Sequence, residues 1–268
     1  MEIPDLDFKT MSLPEIEVCL AGLKPPFPER ILTALKRDGR AGALKLCRGL
    51  ISKQREANRI KARIDKLLIY EREARAQGHK IVAGVDEAGR GPIAGPVVAA
   101  AVILPPDAGF PEVNDSKLLT DAQRRKAFKI IAASAEIGIG VAGTEEIDHS
   151  NIYKANSLAM KLAIQDIGRV PDLVLVDGRP VAGLGVPQRA IVKGDRLSMS
   201  IAAASIVAKV VRDEMMLEFD KKYPQYKFAE HKGYATSEHL ELIKKFGISP
   251  IHRRSFAPVT ECVEHRLL

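Results

Sequence analysis

Two adjacent carboxylates, Asp86 and Glu87, follow an apolar run that has the composition of a buried strand. Carboxylates are costly to bury unless a partner compensates their charge, and a divalent metal ion would do so. Adjacent side chains of a regular strand point to opposite faces, so both acids meet at one site only if the strand ends or bends there. Gly89 and Gly91 would allow such a bend. A hairpin turn with incidental surface acids is the alternative interpretation.

The segment after these acids, Gly89-Arg90-Gly91-Pro92-Ile93-Ala94, also fits the loose dinucleotide-binding pattern G-x-G-x-x-A. That pattern requires a helix to begin at once, with its N-terminus facing a pyrophosphate. Here Pro92, Pro96 and the apolar run 97–104 predict a second strand instead. Two acids directly before the loop would also repel a phosphate. We therefore reject a dinucleotide-binding function.

Two further acids complete a candidate set. Asp177 follows the apolar run 173–176, and Asp213 lies in an alanine-rich helix predicted over 197–222. Each also has an ordinary explanation, because strand-end acids often cap turns and Asp213 can form an i,i+4 ion pair with Lys209 worth roughly 0.2–0.5 kcal/mol. Together with the first pair they form a set of four carboxylates suited to two Mg²⁺ or Mn²⁺ ions and phosphodiester hydrolysis.

The elements that must position these acids fall into two regions. Before residue 78 the pattern is helical: a capping box at Ser12-Leu13-Pro14-Glu15, a helix over 29–37, and a long amphipathic helix over 41–76. We predict a basic helical extension over 1–78. We predict an α/β catalytic domain over 79–268, because β-branched runs alternate there with helical segments. Its expected strands and helices are 81–85, 97–104, 137–142, 152–167, 173–176, 190–192, 197–222 and 237–246, followed by an irregular basic segment over 250–258.

Charge and composition limit the function classes. The net charge is +7, and the first 75 residues hold 16 basic and 11 acidic side chains, so most of the excess is N-terminal. This suits a polyanionic partner. The basic run of the long helix can follow a phosphate backbone, although we favour an ordinary solvated helix face. With 5% aromatic residues and no Trp, a stacking platform for single strands is not expected.

Other classes are excluded by the absence of their signatures. The longest uncharged run is short and interrupted by proline, and the N-terminus lacks a basic start and an apolar stretch, so we expect no membrane contact and a cytoplasmic protein. The three cysteines show no Cys-x-x-Cys pair and indicate neither disulfides nor a zinc site. His231, His239 and His252 fit no compact metal signature, and we expect them to be structural.

Five sequence motifs together resemble bacterial ribonuclease HII, over about residues 80–258 and in that family's order. The five motifs are Val85-Asp86-Glu87-Ala88-Gly89-Arg90-Gly91-Pro92, Asn114-Asp115-Ser116-Lys117, Val176-Asp177-Gly178, the run from Ser200 to Asp213, and His231-Lys232-Gly233-Tyr234. The first and the fourth of these are specific enough to make chance agreement negligible.

The resemblance implies a ribonuclease H-like fold, with a central mixed β-sheet flanked by helices. It implies an endonuclease that cuts the RNA strand of RNA/DNA hybrids and nicks 5′ of ribonucleotides embedded in duplex DNA, in the removal of misincorporated ribonucleotides and RNA primers. Asp86, Glu87, Asp177 and Asp213 take the places of the family's metal-binding carboxylates. Two Mn²⁺ or Mg²⁺ ions would then activate a water and stabilise the leaving 3′-oxygen, giving 5′-phosphate and 3′-hydroxyl ends.

The resemblance also implies substrate contacts. Gly89-Arg90-Gly91 matches the loop whose backbone touches the ribose 2′-hydroxyl. Tyr234 matches a tyrosine that packs on the sugar after the scissile ribonucleotide, although from the residues alone it is an ordinary half-buried tyrosine. Ser116 and Lys117 match a phosphate-contacting pair, and Leu118 stands where the family often has a second lysine.

Two competing functions remain at this stage. Ribonuclease HIII shares the fold and the acids, but typically has a lysine in the glycine loop and a sheet-containing N-terminal domain, against which Arg90 and the helical N-terminus argue. A non-catalytic hybrid-binding protein would have little reason to keep four acids that repel phosphates.

Some ribonucleases HII carry a helical extension similar to the one predicted here, and we expect it to add duplex affinity or pack on the core. We expect the chain to act as a monomer.

Overall fold

The structure, a computed structural model, describes residues 8–106, 108–113 and 116–264. The chain divides into one unit that ends at Asp65 and a second that begins at Lys66. This division lies inside the helical stretch that the sequence placed before residue 78. The functional division of the chain at residue 78 stays a prediction.

The N-terminal unit is built from helices α1 (Leu13–Leu20), α2 (Glu29–Asp38) and α3 (Ala41–Leu67). The carboxylate of Glu15 accepts from the backbone N–H of Ser12 (2.7 Å), which forms part of the predicted capping box. Gly39 adopts a left-handed conformation (φ 74°) and ends α2. The apolar faces of these helices form a small core of their own, made of Phe8, Ile16, Leu20, Phe27, Ile31, Leu35, Ala43, Cys47 and Leu50.

The long helix predicted over 41–76 is interrupted. It divides at Leu68 into α3 and α4 (Ile69–Ala76), although no proline or glycine stands at that point. The cause is tertiary, because Glu71 and Ala74 of α4 are buried in the second unit. Ala74 joins a core cluster with residues of the sheet.

The second unit contains a five-stranded mixed sheet, in the order β3-β2-β1-β4-β5. Strand β1 pairs antiparallel with β2 and parallel with β4, and β4 pairs parallel with β5. The predicted mixed sheet is therefore confirmed. The strands are β1 (Val82–Ala88), β2 (Val97–Ile103), β3 (Glu136–Ala142), β4 (Leu173–Asp177) and β5 (Gln188–Ile191).

Helices cover both faces of this sheet. Helix α7 packs on one face and α8 on the other. The sequence had not predicted α5 and α6, and α11 begins inside the segment predicted to be irregular. Among the described helices, none is long and apolar enough to cross a membrane. The helices are α5 (Asp121–Ser134), α6 (Thr144–Ser150), α7 (Ile152–Asp166), α8 (Met199–Lys222), α9 (Phe228–His231), α10 (Ser237–Phe246) and α11 (Ala257–Glu264).

Glycine lets these two helices approach the sheet closely. A Cβ atom at Gly84 of β1 would overlap the backbone of Ser200 in α8, and one at Gly140 of β3 would overlap the carbonyl oxygen of Ala159 in α7. The alanine-rich start of α8 also lies close to the sheet, since Ala202 to Ala204 are fully buried. The positions of α7 and α8 on the sheet therefore depend on the absence of side chains at these points.

Replacing Gly140 with Ala tests this packing. We expect Gly140→Ala to lower the free energy of unfolding by about 1–3 kcal/mol, because α7 or β3 must shift to admit the methyl group. Gly143→Ala is the matched control, since a Cβ atom there meets nothing within 4 Å. Urea unfolding followed by circular dichroism measures both variants. Equal midpoints for the two variants would contradict the packing argument.

Candidate active site

Acidic side chains gather at one edge of the sheet. Strands β1, β4 and β5 run parallel, with Val85 opposite Val176 and Asp177 opposite Ile191, so their carboxyl ends lie at the same edge. Asp86 and Glu87 lie near the end of β1, Asp177 is the last residue of β4, and Asp195 follows β5 in a short 3₁₀ turn. This edge is where parallel strands commonly place a ligand site.

Strand β1 continues through the two adjacent acids. It pairs with β2 as far as Ala88, so the expected end or bend of the strand at Asp86 is not what the structure shows. The two side chains therefore have different neighbours. Ser205 of α8 forms a hydrogen bond with Asp86, and Asn156 of α7 forms one with Glu87. The acids share the edge of the sheet while pointing toward its opposite faces.

The electrostatics of this edge favour the binding of positive charge. Burial, and then the charges of Glu87 and Asp177, raise the pKa of Asp86 well above its ordinary value. Burial also raises the pKa of Glu87, against the opposing effect of Arg90. The pKa of Asp177 is raised by burial and by Asp195, against a hydrogen bond from the backbone N–H of Gly194. Desolvation therefore destabilises the ionised forms of three carboxylates at this edge, and their mutual repulsion destabilises them further.

Asp195 is a member of this group that the sequence analysis missed. The residue is only 5% exposed, and Lys117 Nζ lies 3.4 Å from its Oδ2. The preceding residue, Gly194, donates its backbone N–H to Asp177 Oδ1 (2.6 Å) and so joins the two strand ends. A signal was available, because Asp195 comes three residues after the strand predicted over 190–192, although Asp177 directly follows the run 173–176.

Asp213 has different surroundings. Lys209 Nζ donates to Asp213 Oδ1 (2.6 Å), which is the i,i+4 pair expected from the sequence. Asp213 lies two helical turns beyond Ser205, about 12 Å along the axis of α8. Ser205 of α8 forms a hydrogen bond with Asp86, so Asp213 lies two turns farther along the helix than this contact with the sheet edge. Among the described residues, no three acidic, imidazole or thiol groups converge closely enough to hold a metal ion.

The glycine loop, Gly89-Arg90-Gly91, lies beside the acids. Arg90 Nη1 donates to Glu87 Oε1 (3.1 Å), and its guanidinium lies over the ring of Tyr153. A Cβ atom at Gly91 would lie 3.8 Å from the ring of Tyr234, which is 47% exposed. The structure therefore brings together the loop and the tyrosine that the resemblance assigned to the substrate.

A buried arginine, Arg212, holds both the segment after the glycine loop and the segment that carries Tyr234. It donates to the carbonyl oxygens of Ala94 and Pro96, which follow the glycine loop, and to that of Lys232, which precedes Tyr234. Three hydrogen bonds from one rigid fork fix the distance between the two chain segments. The residue stands directly before Asp213, which offers a structural reason for the motif that contains both.

The predicted phosphate-contacting pair has a mixed placement. Ser116 is buried, and its Oγ lies 2.9 Å from Ser205 Oγ, so it takes part in the network behind Asp86. The Lys117 side chain is largely exposed beside Asp195. Leu118 is 71% exposed. The preceding residues of that motif, Asn114 and Asp115, lie outside the described residues.

An open cleft of about 700 Å³ lies next to the acids. Glu87 and Asp177 line it together with the first half of α7 and the loop after β4. Basic side chains are prominent in its wall, which suits the backbone of a nucleic acid. They are Arg90, Lys154, Lys161 and Arg179.

Comparisons with known proteins show the family of the chain. A sequence profile of the family Ribonuclease HII matches residues 83–259. The ribonuclease HII of Acetivibrio thermocellus is 55% identical over 192 residues, covering 71% of this chain and 75% of its own. The ribonuclease HII of Geobacillus kaustophilus is 45% identical over 257 residues, covering 96% of this chain and 98% of its own, so that match extends into the N-terminal unit.

A solved structure shows the same fold. The ribonuclease H2 of Pyrococcus horikoshii superposes with a TM-score of 0.60 at 28% identity, covering 69% of this chain and 98% of its own. The predicted ribonuclease H-like fold is confirmed. From the family match, the relatives and this fold, we conclude that the chain belongs to the ribonuclease HII family and is an endonuclease of the ribonuclease H type.

Proposed function

We propose that the chain hydrolyses the RNA strand of RNA/DNA hybrids and nicks 5′ of single ribonucleotides in duplex DNA, leaving 5′-phosphate and 3′-hydroxyl ends. The observation that carries this proposal is the position of the acids at one sheet edge, directly beside the glycine loop and an exposed tyrosine. The acids supply hydrolysis. The loop and the tyrosine supply a means of distinguishing ribose from deoxyribose.

The acidic group fits divalent metal ions. Its donors are all carboxylate oxygens, which Mg²⁺ and Mn²⁺ prefer. The raised pKa values of Asp86, Glu87 and Asp177 indicate that nearby positive charge would stabilise their ionised forms. Two bound ions supply activation of a water molecule and neutralisation of the leaving 3′-oxygen. The chain orients the carboxylates with the Ser205 hydroxyl, the Arg90 guanidinium and the Gly194 backbone N–H.

We assign the fourth carboxylate to Asp195 in place of Asp213. Asp195 is buried next to Asp177 at the carboxyl end of a strand parallel to β4, whereas Asp213 is neutralised by Lys209 within α8. The other three assignments from the sequence are kept as proposals. Lys117 forms an ion pair with Asp195. A phosphate of the substrate would replace the Asp195 carboxylate as the partner of Lys117.

Recognition of the sugar follows from the loop. Gly89 has φ +95°, and a Cβ atom there would overlap the side chain of Arg212, so the loop can adopt this conformation against Arg212 only with a glycine at this position. We propose that Gly89, Arg90 and Gly91 contact the 2′-hydroxyl through backbone groups, and that Tyr234 packs on the following sugar. This arrangement favours the junction between a ribonucleotide and DNA.

The remaining parts of the proposal concern context. The N-terminal unit is basic, and we propose that it adds affinity for the duplex through phosphate contacts. We propose removal of misincorporated ribonucleotides and RNA primers as the role, by a monomeric, cytoplasmic enzyme.

Exchange of the two candidate acids tests the fourth assignment. We expect Asp195→Asn to reduce cleavage more than about a hundredfold, because even the partners of metal ligands are worth roughly 10–100-fold. Asp213→Asn should retain activity and lower the free energy of unfolding by about 1–3 kcal/mol, since it weakens a charged hydrogen bond. Single-turnover cleavage and thermal melting separate the two effects. Loss of activity in Asp213→Asn with cleavage retained in Asp195→Asn would restore Asp213.

Cleavage of a defined duplex tests the function itself. A labelled DNA duplex with one ribonucleotide, incubated with the protein and Mg²⁺ or Mn²⁺, should be nicked on the 5′ side of the ribonucleotide. An all-DNA duplex and added EDTA are the controls. Asp86→Asn should bind the duplex with little change and fail to cut it. Cleavage that persists in EDTA would refute the metal-dependent mechanism, and cutting of long hybrids alone would refute the junction preference.

A further inference from the structure

Arg253, in the segment between α10 and α11, is fully buried behind the glycine loop. Its Nη2 donates to Gly89 O (2.5 Å) and Nη1 to Arg90 O (3.0 Å), and both Nε and Nη2 donate to Gly95 O. A single guanidinium therefore holds two carbonyls of the loop and a third just beyond it. The sequence analysis had placed this arginine in an irregular basic tail.

A cation in this position is energetically costly. Burial, and the neighbouring charge of Arg212, lower the pKa of Arg253 to about 9, which still leaves it charged at neutral pH. Its hydrogen bonds to carbonyl oxygens offset part of that cost and orient the loop at the same time. The backbone adds two further links, from Arg253 N to Ile93 O (2.9 Å) and from Gly95 N to Ile251 O (2.8 Å).

The adjacent residue, His252, connects the same segment to Tyr234. The backbone N–H of Ser249 donates to His252 Nδ1 (2.9 Å), so Nδ1 accepts and Nε2 carries the proton of a neutral ring. His252 Nε2 then donates to His239 Nε2 (3.0 Å). His239 Nδ1 donates in turn to the carbonyl oxygen of Tyr234 (2.8 Å). Both tautomers are set by donors and acceptors that cannot exchange roles.

The third histidine stacks on this chain of hydrogen bonds. His231 Nδ1 accepts from the backbone N–H of Gly233 (3.1 Å), and its Nε2 donates to Tyr226 O (2.8 Å). Its ring lies 4.1 Å from that of His239, centroid to centroid. The peptide that carries Tyr234 is thus held at two successive residues, Gly233 and Tyr234, by imidazoles with defined tautomers.

We infer that Arg253, His252 and His239 are positioning residues that fix the spacing between the glycine loop and Tyr234, and that this spacing determines selectivity for an isolated ribonucleotide. The inference rests on the proposed function. Arg253 holds the loop, and His252 acts through His239 on the tyrosine. Because Arg253 and His252 are neighbours in one segment, that segment links the two recognition elements, in addition to the link that Arg212 makes between Ala94 and Lys232.

The consequence differs between substrates. A long hybrid presents a 2′-hydroxyl at every step, so a displaced loop and tyrosine still find one within reach. An isolated ribonucleotide presents only one, and it must meet both elements at once. Misplacement of about 1 Å in a binding arrangement can cost on the order of a hundredfold in rate. Loss of positioning should therefore reduce the ratio of kcat/KM for the isolated ribonucleotide to kcat/KM for the hybrid.

Arg253→Lys is the first test, because a lysine keeps the charge and loses the planar fork. We expect the selectivity ratio to fall by about tenfold or more, with hybrid cleavage largely retained. Arg254→Lys is the matched control, since Arg254 is the exposed neighbour and undergoes the same substitution. All assays are run below the melting temperature of the least stable variant.

A pair of substitutions at His239 provides the second test. His239→Leu removes the hydrogen bond to Tyr234 O, and we expect the same loss of selectivity. His239→Asn places an amide N–H near the position of Nδ1, and it should recover a large part of the ratio. A purely structural role would lower the melting temperature and reduce cleavage of both substrates in parallel.

The outcomes are distinguishable. A reduced ratio in Arg253→Lys and His239→Leu, with recovery in His239→Asn and no change in Arg254→Lys, supports the inference. Parallel loss on both substrates, or an unchanged ratio, overturns it while leaving the proposed function intact. If the unsubstituted protein cuts neither substrate, the proposed function fails and the inference fails with it.

Discussion

The site depends on one unfavourable interaction, the burial of like-charged carboxylates at the ends of three parallel strands. Desolvation and mutual repulsion both raise the pKa values of Asp86, Glu87 and Asp177, and the fold counters this with a different partner for each of the three. A serine hydroxyl supports Asp86, a guanidinium supports Glu87, and a backbone N–H supports Asp177. None of these partners carries enough positive charge to neutralise all the acids, so the proposed binding of metal ions would relieve the same repulsion that destabilises the free protein.

Close packing of helices on the sheet makes this arrangement rigid. Ser205 reaches Asp86 only because α8 lies almost against β1, where Gly84 leaves room for its backbone. The start of α8 is held in turn by the buried Glu71 of α4, whose Oε1 accepts from the Ser198 hydroxyl (2.6 Å) and the Ser200 backbone N–H (2.9 Å). A carboxylate at a helix N-terminus is favourable. The helix that begins after the break at Leu68, α4, therefore carries the carboxylate that holds the start of α8.

Much of this could be predicted from the sequence, for physical reasons that also explain the omissions. Buried strands are nearly all apolar, so β1, β2 and β4 were predicted close to their observed bounds. Helix α5 was missed because its charged residues obscure the few buried ones, Ala127 and Ile131. The interruption at Leu68 has no local signal, since it follows from packing elsewhere. Asp195 was missed because β5 is short and half exposed, so the sequence pattern does not mark the end of this strand clearly.

Arg253 shows a deeper limit of pattern arguments. An arginine next to another arginine in a basic tail has every local sign of a solvated residue, yet its partners are carbonyl oxygens about 160 positions earlier in the chain. Backbone carbonyls carry no side-chain signature, so a cation that binds them leaves no complementary acid for a sequence pattern to reveal. The selectivity that we infer for this site would therefore depend on residues that contact the glycine loop from behind. The residues to which we assign hydrolysis are acids at strand ends, which composition and spacing can indicate directly.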